Sequence, residues 1–233
     1  MSVEITGIGN EGFKIVANNT IIYIDSFFSP ALWVGSAACI APSDVKNADL
    51  ILVTHRHPDH FEEIGVADVV SRTNAKVVGP ASVCGKLRTS LAKGVIVEME
   101  PALRKSGNAA SVTVELPMAR ITAFRTFHSP DHNSYLVEMP GFRFFHDGDN
   151  EDASRIDVAE LGKIDALFIA PWQGAHWVEF IEAVKPSRWF LMHLTDEELV
   201  QQKAGTFLPD LCDHVPEPDR LVTLGPGESF EMS

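Results

Sequence analysis

A chain of 233 residues with 45% hydrophobic content is long enough for one large domain or two small ones around a sizeable core. Its formal net charge of −13, with Lys and Arg scattered and in no run, argues against a protein that tracks a nucleic-acid backbone, which needs a basic face. Cys39, Cys84 and Cys212 are far apart and form no Cys-x-x-Cys, which argues against a disulfide framework or a thiolate zinc site and fits a reducing compartment. The N-terminus has neither a basic nor an apolar leader region, and no apolar run approaches the length of a membrane span. A soluble, cytoplasmic protein is expected, with no membrane partner and with homo-oligomerisation left open.

Residues 3–8 and 12–17 alternate as strands do, and Asn18-Asn19 offers a hairpin turn into a third strand over 20–25 that ends on Asp25. Residues 26–48 read as a loop whose aromatics, Phe27, Phe28 and Trp33, either form a lid over a site or pin the segment to the core. The apolar run Leu50-Ile51-Leu52-Val53 predicts a short buried strand, and Pro58 marks the loop at its end. Between them lies Thr54-His55-Arg56-His57-Pro58-Asp59-His60. His55 and His57, two apart on an extended segment, project to one side, while Asp59 and His60 fall where a helix should start. Imidazole nitrogen and carboxylate oxygen are ligands that zinc, manganese and iron accept. Crowded cationic histidines would repel one another unless something offset them, so a bare histidine-rich loop is the weaker reading.

After this loop the spacing predicts a helix over 60–72, a strand at 75–79, a helix over 80–92 and a strand at 94–99, an alternation that argues for α/β layering. A turn at Gly107-Asn108 leads to strands at 111–116 and 119–126. His128 follows the second of these directly; His132, four residues on, is the rival ligand, and otherwise lines a pocket or is a solvated loop histidine. A strand end fixes a ligand better than the middle of a loop, which favours His128. A hairpin over 133–139 and 142–145 runs into His146-Asp147-Gly148-Asp149, where Gly148 frees the backbone and either acid could serve the turn itself. A helical stretch with Val158 and Leu161 and a strand at 165–170 follow. Trp172, His176 and Trp177, just after that strand, would shape a substrate pocket; solvent exposure of His176 is the competing reading. A helix over 177–184 and a strand over 188–192 bring in His193. His214, in a Pro/Asp-rich tail, has no expected role. Residues 220–231 read as a last strand pair turned at Gly225-Pro226-Gly227.

His55-x-His57-x-Asp59-His60 after a hydrophobic strand resembles the signature of the metallo-β-lactamase superfamily of metal-dependent hydrolases. The resemblance spans nearly the whole chain and implies a single α/β domain over 1–233, a four-layered αββα sandwich with metals at one edge. It implies two divalent ions, zinc or manganese, with iron also accepted. His55, His57 and His128 would hold one ion and Asp59, His60 and His193 the other, with Asp149 of the Gly-Asp motif bridging them. Asp25 would brace the histidine loop from behind. Some positions depart from the pattern: Ser26 stands where proline often follows the aspartate, Leu194 where tyrosine often follows Met-His, and Phe61-Glu62-Glu63 where glyoxalase II-like members carry Gly-Gly. Short length makes the compact subgroup that includes ascorbate-6-phosphate lactonase-like proteins the most similar.

The activity implied is hydrolysis of a small ester-like substrate, a lactone or a phosphate ester, by a metal-bound hydroxide, with Asp59 as a catalytic group that orients the nucleophile or takes its proton. A metal-bearing regulatory module without catalysis is the alternative, and the full ligand set argues against it. A nucleic-acid phosphodiesterase is disfavoured by the charge and by the absence of an inserted domain.

Overall fold

The computed structural model describes residues 2–27, 38–171 and 174–232. The chain opens with β1 (Val3–Gly9), β2 (Gly12–Ala17), β3 (Thr20–Ile24) and β4 (Leu50–Leu52). Next come α1 (Glu63–Thr73), β5 (Lys76–Gly79), α2 (Ala81–Leu87), β6 (Ile96–Glu98) and β7 (Ser111–Glu115). These are followed by β8 (Arg120–Arg125), β9 (Asn133–Met139), β10 (Phe142–His146), α3 (Val158–Leu161) and β11 (Ala166–Ile169). The last are α4 (Trp177–Val184), β12 (Arg188–Leu191), α5 (Asp196–Lys203), α6 (Phe207–Leu211), β13 (Leu221–Thr223) and β14 (Ser229–Met232).

Two compact units result, Met1–Glu100 with Leu224–Ser233, and Pro101–Thr223. Each holds a mixed seven-stranded sheet. The first has the order β14-β1-β2-β3-β4-β5-β6 and the second β13-β12-β11-β10-β9-β8-β7. In the first, β14, β1, β2 and β3 pair antiparallel, and β3 to β6 parallel. In the second, β7 to β10 pair antiparallel, and β10 to β13 parallel. The halves thus repeat one plan: tight turns among the antiparallel strands, then helical crossovers, which parallel neighbours require.

Helix α1 presents Val66, Val69 and Val70 to Ile51 and Val77 of its sheet, all buried. Its ends are marked in the sequence. The Glu62 carboxylate accepts from the amides of Ile64 and Gly65, and Asn74 closes the helix in the left-handed conformation at φ 58. The second core gathers Phe145, Leu167, Phe180, Ile181, Trp189 and Leu191. Phe27 is pinned in the first core, its ring 5.2 Å from Tyr23; Phe28, Pro30 and Trp33, the rest of the expected lid, lie outside the described residues.

The expected layering is present and some boundaries move. Helix α1 begins at Glu63 instead of residue 60, because the amides of His60 and Phe61 both bond back to the His57 carbonyl, at 3.0 and 2.9 Å, in a tight turn. The predicted terminal hairpin is corrected: β13 adds to β12 of the second sheet, and β14 to β1 of the first. Helices α5 and α6 were not anticipated. Among the described residues no helix is long and apolar enough to cross a membrane.

Candidate metal centre

In the parallel part of each sheet, the polar residues of interest sit just beyond strand C-termini, where open α/β sheets place their ligands. Asp25 follows β3, and the histidine loop follows its parallel neighbour β4. Asp25 is 1% exposed, with φ at 43°. Its Oδ1 accepts from the Thr54 amide at 2.9 Å and its Oδ2 from the Thr54 hydroxyl at 2.6 Å. With that hydroxyl proton directed at Asp25, Thr54 Oγ1 accepts from His55 Nδ1 at 3.0 Å. Asp25 Oδ2 also lies 3.2 Å from His60 Nδ1. Both rings therefore carry their proton on Nδ1 and present Nε2 as the ligand atom, the tautomer that metal-binding histidines adopt when the second nitrogen is held.

Around these anchors the donors crowd together. The His55 ring centroid lies 4.4 Å from that of His57 and 4.1 Å from that of His60. His55 and His60 are fully buried and Asp59 nearly so, with Asp59 Oδ2 3.5 Å from His60 Nε2. Glu11, which sequence reasoning passed over as part of a hairpin turn, is fully buried here, its Oε2 3.4 Å from His60 Nδ1. Ligand atoms of Glu11, Asp25 and His60 lie within 4.8 Å of one another. Gly12 permits this approach, since a Cβ there would meet the Asp25 carbonyl oxygen at 2.9 Å.

The second unit builds its own set from the ends of β8, β10 and β12. Asp149, 2% exposed, stands between two histidines: Oδ2 is 3.1 Å from His128 Nε2, and Oδ1 is 3.5 Å from His193 Nε2. His193 holds a left-handed φ of 60°, a conformation costly for a non-glycine residue and concentrated at functional positions. His128 Nδ1 lies 3.2 Å from Glu151 Oε1, a carboxylate that holds this ring as Asp25 holds His60. Glu151 was also missed. Its only sequence signal is an acid two residues beyond Asp149.

His132 is not the solvated loop residue expected. It is fully buried, and both its nitrogens are committed: Nε2 accepts the Asp149 amide at 3.0 Å, so Nδ1 carries the proton and donates to Thr126 Oγ1 at 2.7 Å. It shapes the turn that carries Asp149. Asp147 does so too, accepting from Ser134 Oγ and Asn150 Nδ2, each at 3.0 Å. Burial pushes the Asp147 carboxyl up to about 7 despite those two bonds, and the Asp149 charge adds to the rise. His146 packs on Phe168, ring centroids 5.5 Å apart.

Among the pocket candidates, Trp172 lies outside the described residues. Trp177 is 8% exposed and packs in the second core, its ring 6.5 Å from Trp189, so its position is a core position and not a pocket wall. His176 is exposed, with Nδ1 3.0 Å from Asp152 Oδ1. Among the described residues no cysteine joins these clusters, and burial pushes the Cys84 thiol up to about 12. The donor set is imidazole and carboxylate throughout, with His55, His60 and His128 each held at Nδ1, and it fits divalent ions of the zinc, manganese and iron type.

The β-lactamase superfamily domain model matches residues 20–202. The chain therefore belongs to the metallo-β-lactamase superfamily and has its α/β fold. Within it, the chain is 30% identical to a UPF0173 metal-dependent hydrolase of Nitratidesulfovibrio vulgaris, over 100% of this chain and 96% of the relative. A UPF0173 metal-dependent hydrolase of Pyrococcus furiosus is 28% identical, over 99% of this chain and 100% of the relative. The chain is a member of this UPF0173 family of metal-dependent hydrolases. Among solved structures it is similar to Igni18, a metallo hydrolase from Ignicoccus hospitalis, with a TM-score of 0.66, 16% identity, and coverage of 100% and 99% of the two chains. It is also similar to YhfI of Bacillus subtilis, a metallo-β-lactamase fold protein, with a TM-score of 0.65, 11% identity and full coverage of both chains.

Proposed function

We propose that the protein hydrolyses a small ester-like molecule, a lactone or a phosphate ester, using two divalent ions, zinc or manganese. His55, His57 and His128 would hold one, Asp59, His60 and His193 the other, and Asp149 would be shared. The observation that carries this reading is the placement of Asp149, whose two oxygens each face a different histidine. A turn-capping acid has no need of that arrangement; a bridging carboxylate does. The substrate class follows the resemblance to ascorbate-6-phosphate lactonase-like proteins, and the net charge of −13 supports a small molecule over nucleic acid.

When bound, such ions lower the pKa of water towards neutrality and stabilise charge on the scissile oxygen. The chain supplies the rest. Asp25 and Glu151 hold the His60 and His128 rings, and Asp59, whose Oδ2 lies 3.5 Å from His60 Nε2, would take a proton of the attacking water. No serine or cysteine nucleophile is required. His193 belongs to one set only, so His193→Ala should lower the metal content from about two ions per chain to about one, with a large loss of rate. Elemental analysis that finds the same single metal in both proteins would overturn the two-ion assignment.

A further inference from the structure

We infer that a cavity beside His128 receives the non-reacting end of the substrate, and that it selects an apolar group with a neutral or cationic tip over an anionic one. This rests on the hydrolase reading above and narrows its substrate class to those lactones and phosphate esters whose non-reacting end is apolar with an uncharged or cationic tip.

The cavity measures about 560 Å³, within the usual range for small-molecule sites. Leu103, Phe127 and Pro130 give it an apolar lining, and Leu103 is 53% exposed although it is a large hydrophobic residue. His128 stands in its wall, so a group lodged here lies next to a proposed metal ligand. Glu151 and Asp152 complete the lining, and no lysine or arginine takes part in it. Two arginines adjoin the lining and both are committed: Arg125 donates to the Pro130 carbonyl, and Arg155 sits on Phe127. The Arg155 guanidinium lies over the Phe127 ring, 4.0 Å from the centroid, and donates to the carbonyls of Gly107 at 2.9 Å and Arg104 at 2.6 Å. Ser129 also lines the cavity, with its hydroxyl buried out of solvent. A phosphate or sulfonate entering here would shed water against two carboxylates with no cationic side chain to meet it, whereas an alkyl chain meets apolar wall and an ammonium tip meets acid.

Calorimetric titration of the metal-free protein tests this directly with n-butyltrimethylammonium, tetramethylammonium and butanesulfonate as probes. The butyl ammonium probe should bind at least tenfold more tightly than the sulfonate. It should also exceed tetramethylammonium by about fourfold per methylene buried. Leu103→Lys, at an exposed position, should erase the preference for the ammonium probe while leaving the melting temperature and metal content unchanged. Equal or tighter sulfonate binding, no binding of the butyl ammonium probe, or a Leu103→Lys protein that behaves as wild type would each overturn the inference. Because no metal or turnover is involved, those outcomes leave the hydrolase reading to its own test. A protein that binds the probes as described but hydrolyses no ester when metal-loaded would sink the hydrolase reading instead.

Discussion

His128 and His132 stand four residues apart and differ in what their nitrogens already do. His132 spends both, one on the Asp149 amide and one on Thr126, so it has no lone pair to give a metal. Its replacement should act on the fold: His132→Ala strands a buried amide, at a cost of about 1–3 kcal/mol, while the metal count is kept. His128→Ala should show the reverse, with metal lost and the metal-free melting temperature nearly unchanged. Parallel calorimetry and elemental analysis of the two variants separate these outcomes, and loss of metal in His132→Ala alone would reverse the assignment. Glu151 acts one step further out. Its carboxylate is half-exposed and contributes little to packing, yet it fixes the ring of His128. Removing such a partner typically weakens metal affinity about 10–100-fold. Glu151→Ala should therefore shift a metal-competition titration by that factor with no change in the metal-free melting temperature; an unshifted titration would make Glu151 a surface residue only.

At the scale of elements, the sequence speaks clearly where local rules carry enough information. The strand-loop rhythm, the apolar face of α1 and the histidines at strand ends are all legible, because periodicity and the need for rigid ligands leave marks within a few residues. Glu11 and Glu151 are not, since an acid in a turn looks like turn chemistry until its burial and neighbours are known. Helix α5 buries no residue and shows no apolar period; its sole signal is the capping box of Thr195 and Glu198. The turn before β14 has strong Gly-Pro-Gly chemistry, but a turn does not say that the strands it separates join different sheets. Helix α4 gives the sharpest correction. An aromatic pair after a strand suggests a pocket, yet Trp177 faces Phe180, Ile181 and Trp189 in the core. Trp177→Ala should thus cost about 3–5 kcal/mol of stability and leave metal content intact. A variant with normal stability and altered substrate affinity would restore the pocket role.

For the molecule as a whole, 32 acidic residues stand against 19 basic ones, and several of the acids are deep inside. Glu11, Asp25 and Asp59 are buried in the first unit, and Asp147 and Asp149 in the second. Without a cation, each cluster holds like charges out of water, which raises the free energy of the folded state. A divalent ion offsets that repulsion and binds the folded chain far better than the unfolded one, so metal binding is also folding free energy. At a free metal concentration a hundred times the dissociation constant, the linkage is worth about 2.7 kcal/mol per site. In a chain of this length that corresponds to a rise of about 5–10 °C in melting temperature. Exhaustive chelation should therefore abolish ester hydrolysis and lower the melting temperature together, and added zinc or manganese should restore both. The two readouts separate the failures. Turnover that survives complete metal removal would refute metal-dependent hydrolysis, while a melting temperature indifferent to metal would place the ions outside these buried carboxylates.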